Sequence, residues 1–202
     1  MKKSLSLLTA ACVSLCMMAQ DFHGVTCREG QVFHNWHNRV DYINIVMPLN
    51  INRYEMIYLC PVDVSNVQLP DKSGKKYAAL QESLEALPEI MAKHIKKHFP
   101  HLKVQTVNSL DELNLDDRSL GLCLRFDELD MGDLALRVSV GAGAGAQRIS
   151  MAGVFFDKDK NEFFDFKQRH VDIIGRSYKK DLQLAFANFG KDIAKMLDTL
   201  TK

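Results

Sequence analysis

The chain has 202 residues, 47% hydrophobic and 25% charged, which is the range of an ordinary globular domain. Its 26 Lys and Arg balance 25 Asp and Glu, so it lacks the basic excess that traps nucleic acid. After residue 20 no run approaches the ~18 apolar residues of a membrane-spanning helix.

Lys2 and Lys3 precede an uncharged apolar stretch from Leu5 to Ala19, the pattern of a secretory signal. Cleavage after Ala19 or Gln20 would start the mature chain at Gln20 or Asp21 and leave 24 basic against 25 acidic residues. About 180 residues then bury one core, which predicts an exported, single-domain protein of the periplasm. The alternative is lipid attachment, and with it an outer-membrane lipoprotein, because Thr9-Ala10-Ala11-Cys12 resembles a lipobox. Few apolar residues precede Cys12, however, and the chain stays apolar after it. Leu15, before Cys16, is too large for the cut.

Cys27, Cys60 and Cys123 lie beyond the signal. Three thiols in an oxidising compartment allow at most one internal disulfide. Cys60 and Cys123 sit in strand-like apolar runs and read as buried free thiols. No C-x-x-C is present.

Residues 21–50 read as a semi-ordered arm with a short strand at Tyr42–Met47. It carries His23, His34 and His37, which with Cys27 are candidate zinc ligands. A mature terminus at Asp21 would also place His23 third, a square-planar Cu(II) or Ni(II) pattern. No fourth ligand or helical period supports a zinc site, so a loop with exposed histidines is the favoured reading.

Tyr54–Val64 reads as a central strand, apolar on both faces in its middle and closing near Pro61. Pro70-Asp71-Lys72-Ser73-Gly74 is turn chemistry. Tyr77, Leu80, Leu84, Leu87, Met91, Ile95 and Phe99 recur at three to four residues and predict a helix from about Lys75 to Phe99. Pro88 either kinks it or starts a second helix. His94 and His98 are one turn apart but stand among Lys93, Lys96 and Lys97, which repel a dication, so they read as a solvated face.

Leu102–Val107 is a short strand, and Ser109–Asp117 an acidic loop with room for one helical turn. Leu120, Leu122, Leu124 and Phe126 alternate with Gly121, Cys123, Arg125 and Asp127, the period of a half-buried strand. Glu128–Asp133 interrupts it, and Leu134–Val140 resumes extended character. Gly141-Ala142-Gly143-Ala144-Gly145 then divides the chain into two halves. It matches neither phosphate-binding glycine pattern, and a strand rather than a helix follows it, so close packing or a loop is the reading.

Arg148–Asp157 and Asn161–Asp172 predict a hairpin, with Ile149, Met151 and Phe155 on one face of the first strand and Phe164 and Phe166 on one face of the second. Asp157, Asp159 and Asn161 copy the start of a calcium loop, but Glu162 and Gln168 stand where Gly and Glu belong, which leaves a plain turn. Leu182, Ala185, Phe186, Phe189, Ile193, Met196, Leu197 and Leu200 predict a helix from about Tyr178 to Leu200, with Ser177 as N-cap. No G-x-S-x-G is present. His170, Asp172 and Ser177 are close in sequence, which is not triad geometry.

Arg137-x-x-x-Gly141-x-Gly143-Ala144-Gly145, followed by a strand ending at Asp157 and a hairpin, resembles an uncharacterised bacterial envelope domain often found in lipoproteins. It is distantly similar to the N-terminal domain of the periplasmic protein TolB. The resemblance spans about Arg53 to Leu200. It implies helices packed on a mixed sheet and an envelope role through protein contacts, with no catalytic residues to carry over.

The resulting expectation is a single α/β (α+β) domain at residues 51–202, behind a signal at 1–20 and an arm at 21–50. It has a mixed sheet of about five strands with two main helices packed on it. The expected function is a non-enzymatic binding or assembly protein of the bacterial envelope, periplasmic or membrane-associated, with a protein partner. No catalytic, cofactor or metal residue is assigned, and no nucleic acid is expected as a partner. The alternatives are metal binding by the His-bearing arm and, third, a hydrolase.

Overall fold

The computed structural model describes residues 21–22, 25–26, 30–37, 40–132, 147–172 and 177–200. Residues 1–20, His23, Cys27, Leu134–Val140 and the Gly141–Gly145 segment lie outside the described residues.

Asp21–Phe22 (β1) and Val25–Thr26 (β2) form a small ladder of their own. Among the described residues the main sheet has seven strands: Gln31–Trp36 (β3), Val40–Ile45 (β4), Met56–Leu59 (β5), Lys103–Thr106 (β6), Ser119–Asp130 (β7), Gln147–Phe156 (β8) and Glu162–Asp172 (β9). Their order is β3-β4-β9-β8-β7-β5-β6. β5 runs parallel to both β6 and β7, and every other pairing is antiparallel. The sheet is therefore mixed, as expected, but has seven strands rather than about five. The two additional strands come from the arm, where β4 overlaps the short strand expected at Tyr42–Met47 and β3 is not anticipated by the sequence. β3 is an edge strand with exposed polar side chains, and β4 buries little beyond Val40, Ile43 and Asn44, so neither carries a strong period. Nor does the sheet divide at the glycines, because β4 pairs with β9 from the far end of the chain.

Lys75–His98 (α1) is one continuous helix through Pro88, and Tyr178–Leu200 (α2) follows β9. α1 crosses from β5 to its parallel neighbour β6 and buries Leu80, Leu87, Met91 and Ile95. Ser83 is also buried, its hydroxyl donating to the Ala79 carbonyl at 2.7 Å. α2 buries Leu182, Phe186, Phe189, Ile193 and Leu197. The helices share one core with Leu120, Leu122, Leu124 and Phe126 of β7, Ile149, Met151 and Phe155 of β8, and Phe164 and Phe166 of β9. They approach closely at Gly190, where a Cβ would press on His94 and the Met91 sulfur at 3.3 Å. The Ser177 hydroxyl accepts from the Lys180 amide at 3.4 Å, the cap expected at the start of α2.

β7 departs from the half-buried expectation. Its first eight residues are buried on both faces, and the pause at Glu128–Asp133 is in part a bulge, with the β8 register shifting between Phe126 and Glu128. On the face away from the helices, Leu110, Leu113 and Leu115 close over Cys60, Cys123, Ala152, Val154 and Phe156. The Phe156 ring lies over Gly121 there, and a Cβ at that glycine would collide with it.

Candidate functional site

The second face of the sheet changes character along its strands. Beyond the small apolar cluster stands a charged network that alternation builds from β7 and β9. Phe164 and Phe166 turn toward the helices, so Asp165, Lys167 and Arg169 turn away from them. Leu124 and Phe126 do the same for Arg125. The Arg125 side chain is only 7% exposed, and its Nε donates to Asp127 Oδ1 at 3.0 Å. Lys167 Nζ meets the other oxygen of the same carboxylate at 2.9 Å. Asp127 is thus clamped between two cations on two strands. Arg169 pairs with Glu128 at 3.5 Å.

Asn44 of β4 extends the row, its Nδ2 donating to Asp165 Oδ2 at 2.8 Å. Burial holds the Asp165 carboxyl above the usual carboxylate range, opposed by hydrogen bonds with Glu162 and Asn44. Ser150, on β8 opposite Arg169, is buried, and its hydroxyl has no hydrogen-bond partner among the described residues. The buried ends of these charges are held by one another, while Lys167 and Arg169 keep partly exposed heads. Chemically this is a fixed pattern of donors and acceptors suited to binding, not a nucleophile aligned with a base.

A cleft of about 420 Å³ opens where the β3–β4 turn meets the ends of both helices, among Trp36, His37, His98, Asp192, Lys195 and Thr199. Asn35 and His37 have positive φ, 51° and 47°. In a regular strand Phe33 and Trp36 would face opposite ways. The left-handed Asn35 brings them together, with ring centroids 4.8 Å apart against the core. Asp192 accepts from Gln168 Nε2 at 2.6 Å.

His34 lies 5.9 Å from Tyr42, ring to ring, whereas His37 stands 4.8 Å from Trp36, so each imidazole packs on a different aromatic ring. His94 has its imidazolium disfavoured first by burial and then by Lys93, Lys191, Lys97 and His98, and His98 lines the cleft. Among the described residues no group of three or more His, Cys, Asp or Glu is placed to hold a metal ion. The 157–161 turn is closed by its own donors. Asp157 accepts from the Asp159 and Asn161 amides at 2.9 and 2.8 Å and from Asn161 Nδ2 at 3.1 Å. His170 packs on Phe189, while Ser177 serves the helix start.

Sequence reasoning misses the clamp on Asp127, although it places Arg125 and Asp127 on one strand face. What it lacks is the β7–β8–β9 register that brings Lys167 alongside. It also misses the meeting of His37 with His98, which are 61 positions apart in sequence.

These features define an α+β domain with a charged network on the sheet face turned away from α1 and α2. The family described as a domain of unknown function (DUF4410) matches residues 57–199, and the chain belongs to it. The resemblance read from the sequence holds at that level, as a member of an uncharacterised domain family. The fold is similar to PelC from Paraburkholderia phytofirmans, solved as a dodecamer, at 6% identity and a TM-score of 0.48, covering 75% of this chain and 96% of that one. A point-substituted PelC dodecamer from the same organism gives 9% identity and 0.45, covering 75% and 95%. An uncharacterised protein gives 12% identity and 0.41, with the same coverage. No curated protein matches. Among the described residues no helix is long and apolar enough to cross a membrane.

Proposed function

We propose that this protein is a non-enzymatic binding or assembly protein of the bacterial cell envelope that takes its partner by strand addition at the edge strand β3. One observation carries the reading. β3 ends the strand order, and Val32 on it is the large hydrophobic side chain left exposed among the described residues, at 41%. Among the described residues no strand pairs with the outer edge of β3, and an open edge with an exposed apolar side chain offers an added strand backbone groups for affinity and an anchor for register. The left-handed Asn35 limits the regular edge to about its first four residues, so a short segment is the matching partner. The positively charged, then apolar, leader supports placement in the envelope.

The test is photo-crosslinking in the native host, with the reactive amino acid at Val32 and, as control, at the exposed Lys191 of α2. Discrete adducts at Val32 that Lys191 does not give are expected. Identical patterns at both positions would defeat strand addition at β3.

A further inference from the structure

We infer that Cys60 and Cys123 are a disulfide-forming pair that closes while the chain folds and is then sealed beneath the segment carrying Leu110, Leu113 and Leu115. Their adjacency comes from register. β5 and β7 run parallel with Leu59 opposite Leu122, and the Cys60 amide continues the ladder by donating to the Leu122 carbonyl at 2.9 Å. Cys60 therefore stands opposite Cys123, one step further along. Neighbouring strands lie about 4.8 Å apart, inside the roughly 4.4–6.8 Å Cα separation that a disulfide spans. Both side chains are buried in the same small cluster on the face away from α1 and α2, and both are free thiols here.

The chemistry needs an oxidant, and a small or protein disulfide is the class that fits. One thiolate attacks a sulfur of the oxidant, forms a mixed disulfide and releases one thiol. The second cysteine then displaces the other half. Two S–H bonds and the oxidant's S–S bond are lost. One protein S–S bond and two oxidant-derived thiols form, so two electrons and two protons pass to the oxidant.

The fold controls when this happens. In the closed domain, hydrogen bonding with Cys60 and then burial hold the Cys123 thiol far above its ordinary range, so little thiolate is present to attack. The three leucines also bar the oxidant. The oxidation state is therefore set before that cover closes.

Trypsin makes the test direct. Cys60 falls in Tyr54–Lys72, Cys123 in Ser119–Arg125, and the remaining three cysteines together in Ser4–Arg28. The full chain is unfolded under reducing conditions, refolded with oxidised glutathione, alkylated and digested. Tyr54–Lys72 joined to Ser119–Arg125, with the link lost on reduction and native circular dichroism retained, is expected. Recovery of both peptides alkylated, either one joined to Ser4–Arg28, or a linked chain without native circular dichroism would overturn the pairing. Adding the same oxidant to reduced, already folded protein should close the pair about tenfold more slowly or worse. Equal rates would overturn the sealing.

Discussion

The two faces of the sheet are built by opposite strategies. Toward the helices, β7, β8 and β9 present Phe126, Phe155, Phe164 and Phe166 to α1 and α2 in one continuous apolar layer. Away from them, the same strands present a patch of small apolar residues and then the network of Arg125, Asp127, Lys167, Asp165 and Asn44. The first face is non-directional, and its stability follows buried area. The second depends on particular oxygens meeting particular nitrogens, so it fixes position more than it adds stability. The two kinds of packing thus occupy separate sides of one sheet.

Substitutions sharpen the contrast. Phe186 is fully buried and stacks on Phe126 with centroids 6.0 Å apart. Phe186→Ala should cost about 3–5 kcal/mol in urea denaturation. Asp127→Ala removes the carboxylate shared by Arg125 and Lys167 and should cost less, about 1.5–3 kcal/mol. If the two losses were equal, the polar face would be as structural as the aromatic one and the division would fail.

The smallest effect is one of pH. Because burial raises the folded-state pKa of Asp165, the folded chain holds a proton that the unfolded chain gives up above about pH 3.9. The protonated carboxyl thus favours the fold at low pH, and that contribution is lost as pH rises through the raised value. Urea midpoints measured from acid to neutral pH should fall for wild type relative to Asp165→Asn across this window. Parallel profiles would show that the buried acid carries no such linkage.

The helix-facing layer is legible in the amino-acid sequence. α2 begins and ends where its leucine and phenylalanine spacing predicts, and α1 stops one residue short of its expected end. β8 and β9 match their expected bounds to within a residue, because alternation of Phe and Ile with polar residues is a local signal. β3 and β4 read from the sequence only as an arm with one short strand. An edge hairpin that buries one face draws its apolar partners from β9, more than a hundred residues away. Pro88 is ambiguous in sequence because only the packing of both its flanking turns on the sheet decides that one helix continues through it.

Composition, period and charge were enough to determine an α+β domain, its two helices, its hairpin and which residues share a face of each long strand, since each depends on neighbours within one or two turns of chain. They did not determine that both faces of β7 are buried. Strand order, the seven-strand count, the clamp on Asp127, the Cys60–Cys123 adjacency and the cleft joining His37 to His98 were decided only by tertiary structure. Each requires two distant segments to share a register, and register is set by how whole faces pack, not by any residue's own preference.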